Sequence, residues 1–113
     1  MRLILSITLG CLLCTFSHAN DNEITQLMAF IAQSDCTYQR NGSDYSGKDA
    51  LEHIKKKYDY FEDDIKNAED FIRLSATKST MSGKAYTVKC PNQAAITSEQ
   101  WLLRELKRIR QTQ

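Results

Sequence analysis

The chain has 113 residues, 26% of them charged, with 15 Lys and Arg against 14 Asp and Glu. That near-balance excludes a general polyanion binder, because nucleic-acid modules carry a clear basic excess. The length supports one domain with one modest core, and no internal repeat, low-complexity segment or linker interrupts it.

Residues 1–19 predict a secretory signal peptide. Met1-Arg2 supplies a positive start, and residues 3–16 are apolar apart from Ser6, Thr8, Gly10 and Thr15. Ser17-His18-Ala19 then places small residues at the first and third positions of a cleavage site. The apolar run is short for a membrane span, which needs about 20 residues. A retained anchor and a lipidated Cys11 or Cys14 are the alternatives; polar Asn20-Asp21-Asn22 opposes the first, and weak residues around both cysteines oppose the second. Cleavage after Ala19 leaves a domain over 20–113, with no integral membrane span.

The leader holds Arg2 and no acid, so the remaining chain carries 14 basic against 14 acidic residues. Its only cysteines are Cys36 and Cys90 and its only histidine is His53. In an oxidising compartment two isolated cysteines most simply pair. Without a second pair they make no zinc framework.

Asp21 is a potential cap, and Ile24, Leu27, Met28 and Ile31 follow at helical spacing, predicting a helix over 22–33. Cys36-Thr37-Tyr38-Gln39 reads as a strand. Asn41-Gly42 is a dipeptide suited to a two-residue hairpin turn, with Ser43-Asp44-Tyr45 returning. Ser46 caps the next helix and Asp49 suits its first turn. Leu51, Ile54, Tyr58, Phe61, Ile65, Ala68 and Ile72 then alternate in steps of three and four. With no Gly or Pro over 48–81, this predicts one long helix, or two nearly in line with a bend near Asp59. Ser82-Gly83 is a turn, and residues 85–90 form a strand with Tyr86, Val88 and Cys90 on one face. Residues 91–96 read as a loop. Thr97-Ser98-Glu99-Gln100 has capping-box form, and a final helix turns Leu102, Leu103, Leu106 and Ile109 inward. The fold class is α+β: about three helices, one long, packed with a small antiparallel sheet and stapled by Cys36 and Cys90.

His53 is a candidate for general acid/base work because its ordinary pKa lies near neutrality. Arg40, beside the hairpin turn, offers a fork of donors to a carboxylate or phosphate. A hairpin folded over the helix start would bring Arg40, Asn41, His53 and Lys57 into one ligand-binding site. The bland reading pairs Arg40 with Asp44 or Glu52. Lys55-Lys56-Lys57 point in different directions on a helix and read as a solvated face. Arg104, Lys107, Arg108 and Arg110 suit a helix C-terminus, or an anionic lipid or acidic partner. Ser82-Gly83-Lys84 lacks the upstream glycine and following helix of a phosphate loop. Asp59, Glu62, Asp63, Glu69 and Asp70 lack the spacing of a calcium loop. No metal or cofactor is expected.

The stretch Cys36 to Gly42, then Ala50-Leu51-Glu52-His53-Ile54 with Lys57, Ala68-Glu69-Asp70-Phe71-Ile72, residues 82–89 and Trp101-Leu102-Leu103 together resemble the YfeK-like family of short bacterial periplasmic proteins. The resemblance spans nearly all of 20–113. It implies a periplasmic location and an architecture, but no activity, since that family has no assigned function. Arg40, Asn41, Gly42, His53 and Lys57 match its typical positions, as a structural clasp or a ligand site. Members with apolar residues in place of Cys36 and Cys90 are expected, which makes the cysteines structural.

The favoured expectation is therefore a non-enzymatic binding module for a periplasmic or secreted protein or an envelope component: an inhibitor, immunity-type or accessory factor. It predicts an exposed aromatic patch at Tyr45, Tyr60 or Trp101. The alternatives are a small envelope-polymer hydrolase using His53, and a structural stress protein without a discrete ligand.

Overall fold

The computed structural model describes residues 19–113. The leader, Cys11 and Cys14 lie outside them, apart from Ala19 at the end of the leader. Helix α1 (Ala19–Gln33) leads into strands β1 (Thr37–Arg40) and β2 (Ser43–Tyr45), then helix α2 (Gly47–Phe61) and a 3-10 turn (Glu62–Asp64). Helix α3 (Ala68–Ser75), strands β3 (Thr87–Lys89) and β4 (Ile96–Thr97) and helix α4 (Ser98–Gln111) complete the order. Asp21 thus lies within α1 and not at its cap.

The strands form one antiparallel sheet in the order β2-β1-β3-β4. Tyr38 pairs with Tyr45 on one side and Val88 on the other, and Val88 pairs with Ile96. These four residues make an apolar stripe across one face, because alternate residues of a strand share a face. Tyr38 and Val88 are buried, while Gln39 and Lys89 on the opposite face are exposed. The helices supply the rest of the core through Leu27, Ile31, Ile54, Phe71, Ile72, Leu102 and Ile109, all essentially buried. The Tyr38 hydroxyl is satisfied inside by Ser98 Oγ at 2.9 Å. Trp101 is buried against Phe30 and Tyr38, whereas Leu103, expected inward, is exposed.

Cys36 and Cys90 are bonded, with Cα atoms 4.1 Å apart. The bridge ties the residue before β1 to the residue after β3. Asn41 and Gly42 both take positive φ, 51° and 81°, as their hairpin turn demands. Ser46 caps α2 by accepting from the Asp49 amide, and Thr97 and Gln100 form a reciprocal capping box on α4. Gly47 is required for another reason: a Cβ there would lie 2.1 Å from the Ile31 carbonyl oxygen. Its absence lets the start of α2 touch the end of α1.

The long apolar period does not produce one rod or two in-line helices. A continuous helix would separate Tyr58 and Phe71 by about 20 Å along its axis, yet their rings are 5.7 Å apart. Helix α3 therefore folds back against α2. The α-helix does break close to the bend expected near Asp59, at Phe61, and runs on as the 3-10 turn to Asp64, but the next helix restarts only at Asn67. Asn67 accepts from the Asp70 amide at 2.8 Å, and Asp70 accepts from the Lys66 amide at 3.0 Å, a reciprocal capping arrangement. Helix α3 ends at Ser75, six residues before Met81. Residues 77–86 form a small hairpin instead, with Tyr86 N–H donating to Thr77 O and Ser79 N–H to Lys84 O, and with Lys78 bridging Ala85. Strand β4 occupies the end of the stretch expected to be loop.

Candidate functional site

The end of the sheet remote from the disulfide gathers three elements: the β1–β2 turn, the middle of α2 and the 77–86 hairpin. Arg40 lies two residues beyond Tyr38, so it faces the helices at the end of the strand. His53 and Lys57 are four apart on α2 and share one flank of that helix. Their convergence with Arg40 follows from these two periods.

Arg40 Nη2 is 3.5 Å from His53 Nδ1. Guanidinium can only donate, so Nδ1 is the acceptor and a neutral His53 carries its proton on Nε2. His53 has its pKa pushed down, first by burial and then by Arg40 and Lys56. Its ring also packs edge-on against Tyr45, with centroids 4.9 Å apart, and Arg40 lies over the Tyr45 ring at 5.5 Å. Lys57 donates to the Lys78 carbonyl and to the Tyr86 hydroxyl at 3.4 Å. Its pKa is lowered by burial, then by Arg40 and Lys78, while burial raises that of Tyr86.

Asn41 does not join the cations. Its side-chain amide donates to Ser79 Oγ at 3.2 Å, and its carbonyl accepts from Ser82 Oγ at 2.6 Å. It clasps one hairpin to the other. Ser82 Oγ also accepts from the Lys84 amide, so Ser82-Gly83-Lys84 is a tied turn. The structure thus brings Arg40, His53 and Lys57 together and gives Asn41 a positioning contact.

Among the described residues Arg40 forms no ion pair with Asp44 or Glu52, contrary to the bland expectation; Asp44 is held by Gln39. Buried Arg40 Nε has no hydrogen-bond partner. The α4 cations differ. Arg110 makes a bidentate pair with Glu23 and a second pair with Glu69, at 2.7–3.0 Å. Arg108 pairs with Glu105 at 2.6 Å. These contacts satisfy two of the four residues that were candidates for an anionic partner.

The cavity enclosed by Arg40, Tyr45, His53 and Tyr86 is only about 10 Å³, room for about one water. Among the described residues no carboxylate hydrogen-bonds to His53 to orient it, and the Nδ1 lone pair faces Arg40. No group of three or more His, Cys, Asp or Glu is placed to hold a metal among the described residues, and none of their helices is long and apolar enough to cross a membrane. Tyr86 and Lys78 are site residues that sequence reasoning passed over. Tyr86 was legible only as a strand residue, and Lys78 only as a helical one.

Fold and site together define a small disulfide-stapled α+β domain with a cationic end. The chain belongs to DUF5329, a family of unknown function whose family model matches residues 18–110. No curated protein and no solved structure matches it.

Proposed function

We propose that this chain is a non-enzymatic periplasmic binding module, an inhibitor, immunity-type or accessory factor of the YfeK-like kind, exported by its leader. It engages a protein or envelope component through the cationic end. One observation carries the reading: Arg40, Lys57 and Lys78 are gathered there with no carboxylate partner among the described residues, Tyr60 shares a cleft with Lys57, and Tyr60 and, in the 77–86 hairpin, Met81 are 81% and 97% accessible. Like charges held together destabilise a fold unless a partner compensates them, and an exposed aromatic within a charged rim is a common anchor. Of the aromatic residues expected to form the patch, Tyr60 supports the reading; Trp101 is buried and Tyr45 half-buried. The hydrolase alternative has little support, because His53 lacks an open cleft, an orienting acid and a vacant Nδ1.

The test is capture from periplasmic extract with the mature protein and with a Tyr60→Asp, Met81→Asp variant. We expect the wild type to retain a stoichiometric partner and the variant to lose at least nine-tenths of it. No partner, or equal retention by both, overturns the reading.

A further inference from the structure

Two adjoining clefts open beside Lys57. One, of about 240 Å³, lies where α2, α3 and the 77–86 hairpin meet, and its wall includes Lys57, Phe61, Arg73, Lys78 and Thr80. The other, about 290 Å³, continues past Phe61 and Thr80 to Lys56 and Tyr60. Neither wall contains an acidic side chain. The nearby acids in sequence, Asp59 and Glu62–Asp64, stand outside both, and Asp70 pairs with Arg73. Phe61 and Tyr60 meet edge-on at 4.8 Å, giving the cleft an aromatic wall.

We infer that this paired cleft binds an oxyanion, phosphate or carboxylate, carried on an apolar or aromatic body. The inference rests on the binding-module reading and names the chemistry recognised at that end. Lys57 sits at the junction. Its ammonium has three donors; the Lys78 carbonyl and the Tyr86 hydroxyl take two, leaving one for a ligand. Arg73 gives Asp70 a single contact through Nη2, so the rest of its donor fork remains available. The Lys56 and Lys78 ammonium groups make no hydrogen bond or ion pair among the described residues. An anion between them relieves the repulsion that Arg40 and Lys78 impose on Lys57, while Phe61 and Tyr60 cover its apolar part. The size fits a small molecule or one terminal group of a larger one, since ligand pockets begin at about 300 Å³.

The test is titration of the mature protein with phenyl phosphate, inorganic phosphate and benzyl alcohol, followed by amide chemical shifts. We expect phenyl phosphate to bind most tightly, phosphate more weakly and benzyl alcohol not at all, with shifts centred on residues 56–61 and 78–83. Lys56→Gln with Lys78→Gln, both exposed positions, should weaken phenyl phosphate about ten-fold, while Lys107→Gln on α4 should not. Absence of binding, shifts elsewhere, or indifference to the double variant overturns the cleft. Sedimentation with phosphatidylglycerol vesicles but no response to phenyl phosphate also overturns it, by moving the contact to a flat surface. If probes fail while the partner capture above succeeds, the cleft falls and the binding module stands. If probes bind and capture fails, the cleft stands alone.

Discussion

The two ends of the sheet solve the same problem differently. At the Cys36 end a covalent bond joins the residue before β1 to the residue after β3, Trp101 packs tilted against Phe30 with centroids 4.5 Å apart, and Arg108 is paired with Glu105. At the Arg40 end the elements are joined by hydrogen bonds through Asn41 and Lys57, and the cations face one another. A chain with nearly equal numbers of acids and bases thus contains a covalently locked end, where Arg104 and Lys107 still lack an ion pair among the described residues, and an end where cations crowd one another. Overall neutrality says nothing about where charge goes unpaired.

Breaking the locked end has the largest expected effect. Replacing Cys36 and Cys90 by Ser opens a loop of 54 residues, which the chain-entropy relation values at about 4 kcal/mol. Urea unfolding of the variant and of the reduced wild type should agree on that loss; a change below about 1 kcal/mol would show that packing alone holds this end. Gly47→Ala comes next. Its Cβ meets a carbonyl oxygen that cannot rotate away, so α1 and α2 must separate, at a cost of about 3 kcal/mol, read as a drop in the unfolding midpoint.

Arg110→Met leaves Glu23 buried without its partner. Removing one member of a fully buried pair costs about 3–5 kcal/mol, but Arg110 is 42% exposed and solvent screens it, so about 2 kcal/mol is expected. Lys57→Met at the other end gives the contrast. It loses two hydrogen bonds but removes a repelled charge, so its cost should stay under about 1 kcal/mol. A loss equal to that of Arg110→Met would mean that the cationic end is locked after all.

The smallest effect is a pH dependence. The folded pKa of His53 lies below its ordinary value, so between the two the unfolded chain binds more protons and stability rises with pH. The contribution is complete above about pH 6.5 and is lost as pH falls through the folded pKa. His53→Gln should flatten that part of the stability profile. Glu69 and Asp70, whose pKa values are lowered by Arg110 and by the Lys66 amide respectively, act only at more acid pH and should persist in the variant.

Much of the fold was legible where the signal is local. Ser46, Thr97 with Gln100, and Asn41-Gly42 each specify a cap or turn through contacts within a few residues. Asn67 and Asp70 carried an equally local signal, but the apolar period running across it concealed the reversal. The 77–86 hairpin had no comparable mark: its polar residues suit several conformations, and Asn41, 38 residues away from Ser79, helps to hold the one observed. The site was legible in part, because strand and helix periods carry Arg40, His53 and Lys57 to one end once the hairpin folds over α2.

By itself, the sequence determined the helix starts at Ser46 and Thr97, the tight turn at Asn41-Gly42 and the pair of cysteines available to cross-link, all of which depend on short-range geometry or on residue chemistry. Only the tertiary structure decided that α3 folds back, that Arg110 spends its charge on Glu23 and Glu69, and that Arg40 and Lys57 find no acid among the described residues. Ion pairing is a property of distance in space. Residues 87 apart in the chain can meet and near neighbours can miss, so which cations remain available for a partner is settled only when the helices have packed on the sheet.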